Sequence, residues 1–330
     1  MTSRILINLK YLLIGQLFFL AKLPLAQNEN FGFYSENLSG SELNLKMVPI
    51  KGDRFKMGSS SKEKSRKNDE GPIIDVLVDD FWMSEIEITW DLFELFLDRK
   101  IDKFKKNSGK IKLDIDAISG ATAPYVNYNK KGYPVINVTQ YAASQFCKWL
   151  TAKTGHYYRL PTEAEWEFAC RAGESGSFSF GNKARKMEYH GWFKKNSQGK
   201  IQRGRLKMPN QFGLYDMHGN VAEWVLDSYD PKTYIVWGNG IENPLRKKKG
   251  IYPRVVRGGS YKDEINDLRS AARSYSSPSW KQRDPLIPKS LWWHTDATHV
   301  GFRIVRPRIE PEKNELEKCG FHPKKSIEAL

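Results

Sequence analysis

Cysteine is scarce in this sequence, whose 330 residues include only Cys147, Cys170 and Cys319. No C-x-x-C pair and no zinc-type spacing occurs, which argues against a zinc finger or a dithiol redox motif. The chain also lacks a Gly-rich phosphate loop, a G-x-S-x-G elbow and a helical zinc-protease motif. These absences argue against P-loop nucleotide hydrolysis, α/β-hydrolase chemistry and zinc proteolysis.

Acidic residues are fewer than basic ones: the chain has 38 Asp and Glu and 53 Lys and Arg, which gives a net charge of +15. Basic runs carry the excess: "KEKSRK" at 62–67, "RKIDKFKKNSGKIK" at 99–112 and "RKKK" at 246–249. Such runs are usually solvated loop faces, although they can also attract acidic or sulfated glycans and anionic headgroups. No nucleic-acid motif accompanies them, so we expect no nucleic-acid partner.

The apolar run at residues 11–21 is too short to span a membrane comfortably. It follows Arg4 and Lys10 and precedes a small residue at Ala26, the layout of a secretory signal. We therefore predict a signal peptide at residues 1–26 and a mature chain that is exported, periplasmic or secreted, without a transmembrane segment. Removal of the signal peptide would take away three basic residues and no acidic residue, which lowers the net charge from +15 to +12. The alternative is an uncleaved anchor.

The rest of the chain predicts a loop-rich α+β domain. Aromatic residues are plentiful, and 25 Gly and 16 Pro are scattered rather than clustered. Residues 27–44 are polar and predicted to be flexible, residues 45–307 to form a single domain, and residues 308–330 to form a tail. A β-hairpin is predicted around Gly52-Asp53 and a strand over 74–79.

Three helices are predicted early in the domain from their capping residues. Thr89 and Thr139 can each cap a helix, and Gly155 can end the second. Thr162 and Glu165 predict a capping box at the start of the third. Beyond residue 174 the sequence shows short strands and long loops without a helical period.

A series of motifs runs through the domain in a fixed order. They read "MVPIKGDRFKMGS", "RLPTEAEWEFACRAG", "NQFGLYDMHGNVAEW", "VVRGGSY", "SAARS" and "VGFRIVRP". The series resembles the formylglycine-generating enzyme family, also called sulfatase-modifying factors, over about residues 45–307. The resemblance implies a variant of the C-type-lectin-like fold, low in regular secondary structure and often stabilised by calcium.

The same resemblance draws attention to two absent thiols. The family's enzymes oxidise a Cys of a sulfatase peptide with oxygen, using two Cys between the "GGS" and "AARS" motifs that hold Cu(I). Here the segment "GGSYKDEINDLRSAARS" contains no Cys, and Asp263 stands about where the first would be. A carboxylate is a hard ligand that binds Cu(I) poorly. We therefore expect neither copper nor formylglycine generation. The alternative is residual formylglycine activity that uses Cys147 or Cys170.

The family's disulfides would also be altered. Cys147 and Cys170 match bridge positions, but their partners would lie near Ser270 and Ile304. Cys319 could replace one partner, or all three thiols could stay free.

The family resemblance also implies a calcium site in "YDMHGNVAEW". Asp216 and Glu223 would supply carboxylates, and Gly219 and Val221 would supply backbone carbonyls. Calcium takes six to eight hard oxygens, and a Gly-containing turn lets carbonyls converge. The alternative is that Asp216 and Asn220 only cap a turn while Glu223 pairs with an Arg. Trp224, beside this loop, is predicted to pack in the core.

Two further clusters are candidate sites. Arg269 and Arg273 would lie near the family's substrate groove and could bind an acidic ligand, or they could be structural. His294, Asp296 and His299 are ligand types for iron or another transition metal, and otherwise form a polar loop. His218 could in principle add a ligand.

Two functions of different classes follow. The first is a calcium-stabilised binding or structural module that presents basic loops to a cell-envelope protein or an acidic or sulfated glycan. The second is an enzyme: a metal-dependent oxidoreductase of altered chemistry, or a sulfatase-modifying enzyme acting on a sulfatase client.

Overall fold

The computed structural model describes residues 30–98, 131–248 and 250–311. Its strands are β1 (Tyr34–Asn37), β2 (Asn44–Ile50), β3 (Arg54–Met57), β4 (Ile74–Leu77), β5 (Phe81–Ser84), β6 (Ala222–Ser228), β7 (Ile241–Glu242), β8 (Arg254–Arg257), β9 (Arg273–Tyr275), β10 (Val300–Gly301) and β11 (Val305–Pro307). Its α-helices are α1 (Trp90–Asp98), α2 (Gln140–Thr154), α3 (Glu163–Arg171), α4 (Met187–His190) and α5 (Thr233–Trp237). Single 3₁₀ turns cover Asn68–Glu70, Ala184–Lys186, Ile265–Leu268 and Pro278–Lys281.

The strands form three small sheets. Their orders are β1-β2-β5-β11, β10-β6-β8-β9 and β3-β4-β7. Most neighbours are antiparallel, whereas β10 runs parallel to β6 and β7 runs parallel to β4. This mixture of short strands, few helices and long connections confirms the predicted loop-rich α+β fold.

The helix predictions are confirmed at their caps. The Thr139 hydroxyl accepts a hydrogen bond from the amide of Ala142, and Gly155 ends α2 in the left-handed conformation. The capping box of α3 is complete, since Thr162 accepts from the Glu165 amide and the Glu165 carboxylate accepts from the Thr162 amide. These signals are local in sequence, which is why they could be found without knowing the fold.

The predicted hairpin at Gly52-Asp53 is wrong, because β2 pairs with β1 and β5 while β3 pairs with β4. The turn instead carries the chain from one sheet to another. A Cβ on Gly52 would lie 2.2 Å from the carbonyl oxygen of Val78, so only glycine fits this crossing. Its amide donates to the Asp80 carboxylate at 2.9 Å.

The predicted flexible segment 27–44 also needs correction. Residues 34–37 form β1, which pairs antiparallel with the start of β2. Phe31 and Tyr34 pack edge-on against Trp82, with ring centroids 4.7 and 5.6 Å apart. Glu36 is bound by the Tyr158 hydroxyl at 2.7 Å. These aromatic and polar contacts order a stretch whose composition alone suggested a loose chain.

Large rings fill the core. The most completely buried side chains include Trp82, Trp90, Trp149, Trp166, Trp224 and Trp292. The Trp224 indole donates to the Val138 carbonyl at 2.9 Å, which confirms its predicted core position. The described residues from Phe31 onward belong to one compact unit; the other unit, Met1–Asn30, lies outside the described ranges except for its last residue.

The predicted signal peptide, the basic run at 99–112 and the tail beyond residue 311 lie outside the described residues. Among the helices that the structure does describe, none is long and apolar enough to cross a membrane.

Candidate functional site

The loop between residues 215 and 223 is shaped by left-handed backbone conformations. Asp216, Gly219 and Asn220 have φ values of 57°, 104° and 56°. A Cβ on Gly219 would lie 2.1 Å from the Trp192 carbonyl oxygen, so a side chain there is excluded. The tight curl places the carboxylates of Asp216 and Glu223 in the interior, where both are almost fully buried.

Glu223 is bound by an arginine from the other end of the chain. Arg303 donates to both carboxylate oxygens, Nε to Oε2 at 2.6 Å and Nη2 to Oε1 at 2.7 Å. The Trp166 indole also donates to Oε2, at 2.7 Å. This is the arginine pairing that the sequence left open as an alternative. The carboxylate of Glu223 keeps some acceptor capacity, because each oxygen can accept two hydrogen bonds and Oε1 accepts one, from Arg303.

A third buried carboxylate, Glu87, joins this group. Its Oε1 accepts from the Asn220 side chain at 3.1 Å. Within the described ranges, Glu87 Oε2 and Asp216 Oδ1 are buried without a hydrogen-bond partner. We call Glu87, Asp216, Glu223 and Arg303 the acidic cluster.

Burial governs the ionisation of the acidic cluster. It raises the pKa of Glu87 well above its ordinary value, and the neighbouring charges of Asp216 and Glu223 raise it further. Burial likewise raises the pKa of Asp216 to about 6, against the opposing effects of the Arg205 amide and the Arg303 charge. Both groups are therefore held back from ionising by the absence of enough positive charge around them.

The acidic cluster has the charge and the free oxygens that suit a divalent cation. Three ionised carboxylates and one guanidinium leave a net charge of −2, and two carboxylate oxygens lack partners. In the ranges described, no three or more His, Cys, Asp or Glu side chains converge as a metal-binding group. The predicted calcium set contains only two carboxylates, Asp216 and Glu223, and draws its other ligands from the carbonyls of Gly219 and Val221. The residues present therefore fit calcium held partly by the backbone.

The segment where the resemblance predicts copper ligands contains a self-contained turn. Asp263 Oδ2 accepts hydrogen bonds from the amide and the hydroxyl of Ser260, at 2.8 and 2.7 Å. The Asp263 carbonyl accepts from the Lys194 amide at 3.0 Å. The carboxylate at the position where the resemblance predicts a thiol is thus bound within its own turn.

The two described cysteines are buried and lie in separate parts of the core. Cys147 belongs to one hydrophobic cluster and Cys170 to another, and both are free thiols. Burial raises the pKa of Cys170 to about 12 and that of Cys147 further still. Cys170 Sγ lies 3.6 Å from the hydroxyl oxygen of Ser270, as expected if Ser270 occupies a bridge partner's place. Cys319 lies outside the described residues.

His218 supports this buried region rather than the calcium loop. Its Nδ1 lies 2.7 Å from the Leu268 carbonyl, which requires a proton on that nitrogen. Its Nε2 then accepts from the Ser179 amide at 3.1 Å. Burial lowers the pKa of His218 to about 4, so the ring is neutral at physiological pH.

The two predicted ligand-binding arginines are buried in ion pairs. All five N–H groups of Arg269 are engaged by Glu63, Glu70 and the carbonyls of Ser65 and Asn266. Arg273 makes a two-point contact with Glu163 at 2.7 and 3.0 Å. These contacts favour the structural alternative, and substrate binding by either residue stays a prediction that the geometry does not support.

The predicted transition-metal group is not assembled. Asp296 accepts hydrogen bonds from the Arg283 backbone and side chain. The Arg283 amide, the Thr295 hydroxyl and the Arg283 guanidinium, in that order, lower the pKa of Asp296 to about 2. His294 and His299 pack edge-on against Trp280, with ring centroids 5.6 and 5.3 Å apart. No metal-type group is found here or elsewhere in the described part of the chain. The three side chains contact different partners, so a metal at His294, Asp296 and His299 stays a prediction that the geometry does not support.

Comparison with known proteins agrees with the motifs. The family model "Sulfatase-modifying factor enzyme 1-like domain" matches residues 36–285. The formylglycine-generating enzyme of Mus musculus is 30% identical over 308 residues, covering 80% of this chain and 76% of that protein. The chain belongs to the sulfatase-modifying factor family. The family model begins at residue 36, inside β1, which agrees with the order seen there.

Two further relatives delimit what membership implies. A serine/threonine-protein kinase, pkn1 of Chlamydia pneumoniae, is 32% identical over 237 residues, which cover 70% of this chain. The chain spans about a third of that kinase's length, since the match covers 35% of it. The structure of PvdO from Pseudomonas aeruginosa superposes with a TM-score of 0.63 at 23% identity, covering 84% of this chain and 99% of that one. That similarity confirms the fold alone.

Sequence reasoning missed two members of the acidic cluster. Arg303 lies in the quoted "VGFRIVRP" motif, but its partner Glu223 is 80 residues away in sequence. Glu87 lies in "SEIEIT", where it alternates with Ile86 and Ile88 like an ordinary surface residue. The family motif carried a signal for Arg303, whereas nothing in the sequence distinguished Glu87.

Proposed function

We propose that this chain is an exported binding or structural module of the cell envelope that is stabilised by calcium and does not generate formylglycine. The observation that carries the proposal is the Asp263 turn. In place of a copper-binding thiolate, the chain has a carboxylate whose oxygen is bound by the amide and hydroxyl of Ser260. Soft sulfur ligands hold Cu(I), and a carboxylate does not.

The described thiols support the same reading. A Cu(I) site of the family's type needs two deprotonated cysteines close together. Cys147 and Cys170 are buried in different hydrophobic clusters, and burial raises the pKa of both. A thiol whose pKa is this high is a poor nucleophile and a poor ligand at neutral pH.

Calcium is proposed at the acidic cluster. Asp216 Oδ1 and Glu223 Oε1 have free acceptor capacity, and the loop conformation at Gly219 turns the backbone tightly around them. The cation would supply fixed positive charge that offsets the carboxylates, and the loop residues would orient around it. Loss of the cation would leave ionised carboxylates buried with Arg303 as their main counter-charge.

Binding to an acidic partner is proposed from charge. Lys62, Lys64 and Lys67 are exposed in the first basic run, and Lys247 and Lys248 in the last. An acidic or sulfated glycan, or an acidic envelope protein, is the class of partner that such surfaces attract. The family relation keeps a sulfatase client as the second candidate.

One experiment separates the module from an enzyme. The purified chain is loaded with Cu(I), offered a sulfatase-derived peptide containing the target Cys, and followed by oxygen uptake and by peptide mass, with an active family enzyme as positive control. We expect no peptide conversion, and elemental analysis is expected to show about one calcium per chain and no copper. Peptide conversion, or tightly bound copper lost on mutation of any cysteine, would overturn the proposal.

A further inference from the structure

The short helix α5 exposes two adjacent apolar side chains. Ile235 and Val236 are each 63% exposed. The helix is fixed in place from its other face, where Tyr234 is fully buried and stacks with Trp237 at 6.0 Å. A firmly held helix that directs two large aliphatic groups into solvent keeps apolar area out of the core.

Exposed lysines lie near the N-terminal end of this helix. Lys232 precedes it directly, and its amide donates to Asp230 Oδ1 at 2.8 Å. The other oxygen of Asp230 accepts from Arg246 at 2.5 Å, which brings the 246–248 segment to the same point. Lys247 and Lys248 follow and are exposed. The Lys232 amide is the main cause of the lowered pKa of Asp230, and Arg246 and the charge of Lys248 lower it further, in agreement with this proximity.

The acidic side chains next to this surface do not cancel its positive charge. Asp230 is paired with Arg246, and Glu242 is paired with Arg54 at 3.0 Å. The lysines therefore add to a local excess of positive charge. We call Lys232, Ile235, Val236, Lys247 and Lys248 the lysine-ringed tip.

An aromatic side chain extends the rim of the tip. Tyr275 is 47% exposed and stacks on Tyr229, with ring centroids 4.0 Å apart. The guanidinium of Arg273 lies over the rings of both Tyr229 and Tyr234, which connects this pair to α5. Tyrosine is a residue that favours the boundary between water and lipid.

We propose that the lysine-ringed tip docks on the surface of an anionic lipid bilayer. Aliphatic side chains inserted at the acyl boundary, with cations at headgroup level, are the two components of peripheral membrane binding. A glycan would contact the lysines but would leave the aliphatic side chains of Ile235 and Val236 exposed to water. This interaction goes beyond the proposed module function and does not depend on the calcium site.

The test places a reporter at the apolar centre of the tip. In the full chain carrying Cys319→Ser, the other cysteines are buried, so a single introduced thiol can be labelled with an environment-sensitive fluorophore. The label is attached at Val236→Cys or, as matched control, at Ile287→Cys, where the native side chain is 98% exposed. Because each label reports its own surroundings, binding through any other segment does not imitate insertion of the tip.

With vesicles of phosphatidylglycerol, we expect a blue shift of the emission from position 236 and none from position 287. Vesicles of phosphatidylcholine are expected to shift neither. No shift at 236, or equal shifts at both positions, would overturn the proposal; if a protein fraction but no vesicle shifted position 236, the occupant would be a protein instead.

A charge variant tests the ring of lysines. Lys247→Gln with Lys248→Gln should weaken binding to phosphatidylglycerol vesicles by about fivefold per lysine, thus roughly 25-fold for the pair. The control, Lys194→Gln with Lys195→Gln, removes the same charge from lysines that pair with Glu264 and Glu188. Equal weakening by both variants would show that only net charge matters and would refute docking through the tip.

Discussion

Two groups of buried charges in this fold are similar in composition and differ in balance. The first, around α3, contains three guanidinium groups and three carboxylates. Arg171, Arg257 and Arg273 pair with Glu163 and Glu167, and the carboxylate of Asp227 is bound by the amides of Glu163 and Arg246. The second is the acidic cluster, with three carboxylates and one guanidinium. When all members are ionised, the first group has no net charge and the second group has a net charge of −2.

The hydrogen bonds follow the charge balance. Glu167 accepts from Arg171, Arg257 and the Gly58 amide, so its two oxygens have partners on several sides. In the acidic cluster, Glu87 Oε2 and Asp216 Oδ1 lack partners. Pairing with an opposite charge offsets the desolvation cost of a buried charge. A buried charge without such a partner needs another compensating group. Among the described side chains of the α3 network, every carboxylate oxygen has a partner and the Arg257 Nε–H lacks one, whereas the acidic cluster leaves two carboxylate oxygens for a cation or for protons.

The largest effect is expected from breaking the balanced network. Arg257→Met removes the contacts with Glu167 and with the carbonyls of Ser270, Ala271 and Ala272. Since it leaves buried carboxylates without their partner, we expect the free energy of unfolding to fall by about 3–5 kcal/mol. Denaturant unfolding measures this.

Arg308→Met is the control for that variant, because Arg308 pairs with Asp80 on the surface. An exposed pair contributes about 0–1 kcal/mol. If the two variants lost similar stability, the α3 network would not have the stabilising role described.

Calcium removal is expected to have the next largest effect, and only through the acidic cluster. A ligand at a hundredfold excess over its dissociation constant stabilises the folded state by about 2.7 kcal/mol. Chelation should therefore lower the melting temperature of the wild type and leave Asp216→Asn unchanged. Calorimetry measures the melting temperature of each protein in calcium and in chelator. The control is Asp80→Asn, which should show the same calcium response as the wild type. A calcium response retained in Asp216→Asn would refute the site.

The smallest effect is expected from pH in the absence of calcium. The pKa values of Asp216 and Glu87 are raised in the fold, so the folded state holds protons more tightly than the unfolded state. The contribution of these two groups to stability is then greatest at low pH and falls as pH rises from about 4 through 6, whereas buried histidines with lowered pKa values, such as His218, contribute in the opposite direction. Glu87→Gln should make this fall shallower, because it removes one of the two groups whose pKa is raised in the fold.

Urea unfolding at pH 5 and pH 8 in chelator measures the slope, and Glu242→Gln, a change on the surface, should leave it unaltered. A slope in Glu87→Gln equal to that of the wild type would contradict the raised pKa of Glu87.

The sequence predicted what is encoded locally. Thr139, Gly155 and the Thr162–Glu165 box determine helix ends within four residues of themselves, and all are confirmed. Motif order predicted the family, because each motif is a long contiguous string. The hairpin at Gly52 failed because two strands joined by a short turn normally pair, and only the close approach to Val78 shows why these do not.

Contacts between distant segments could not be predicted. The pairing of Arg303 with Glu223 and of Arg269 with Glu70 depends on which loops meet, and sequence spacing does not record that. The cluster of His294, Asp296 and His299 shows the converse, since nearness in sequence on a loop does not produce convergence in space. Composition likewise gave the wrong expectation for residues 34–37, whose order comes from pairing with β2.

The contacts of the Asp263 turn constrain which residues position 263 accepts. Asp263→Cys alone would replace a strong hydrogen-bond acceptor by a weak one, so the Ser260 amide and hydroxyl would lose their partner. A thiol at position 263 would therefore require the loop around Ser260 to rearrange, because the substitution alone removes two hydrogen bonds.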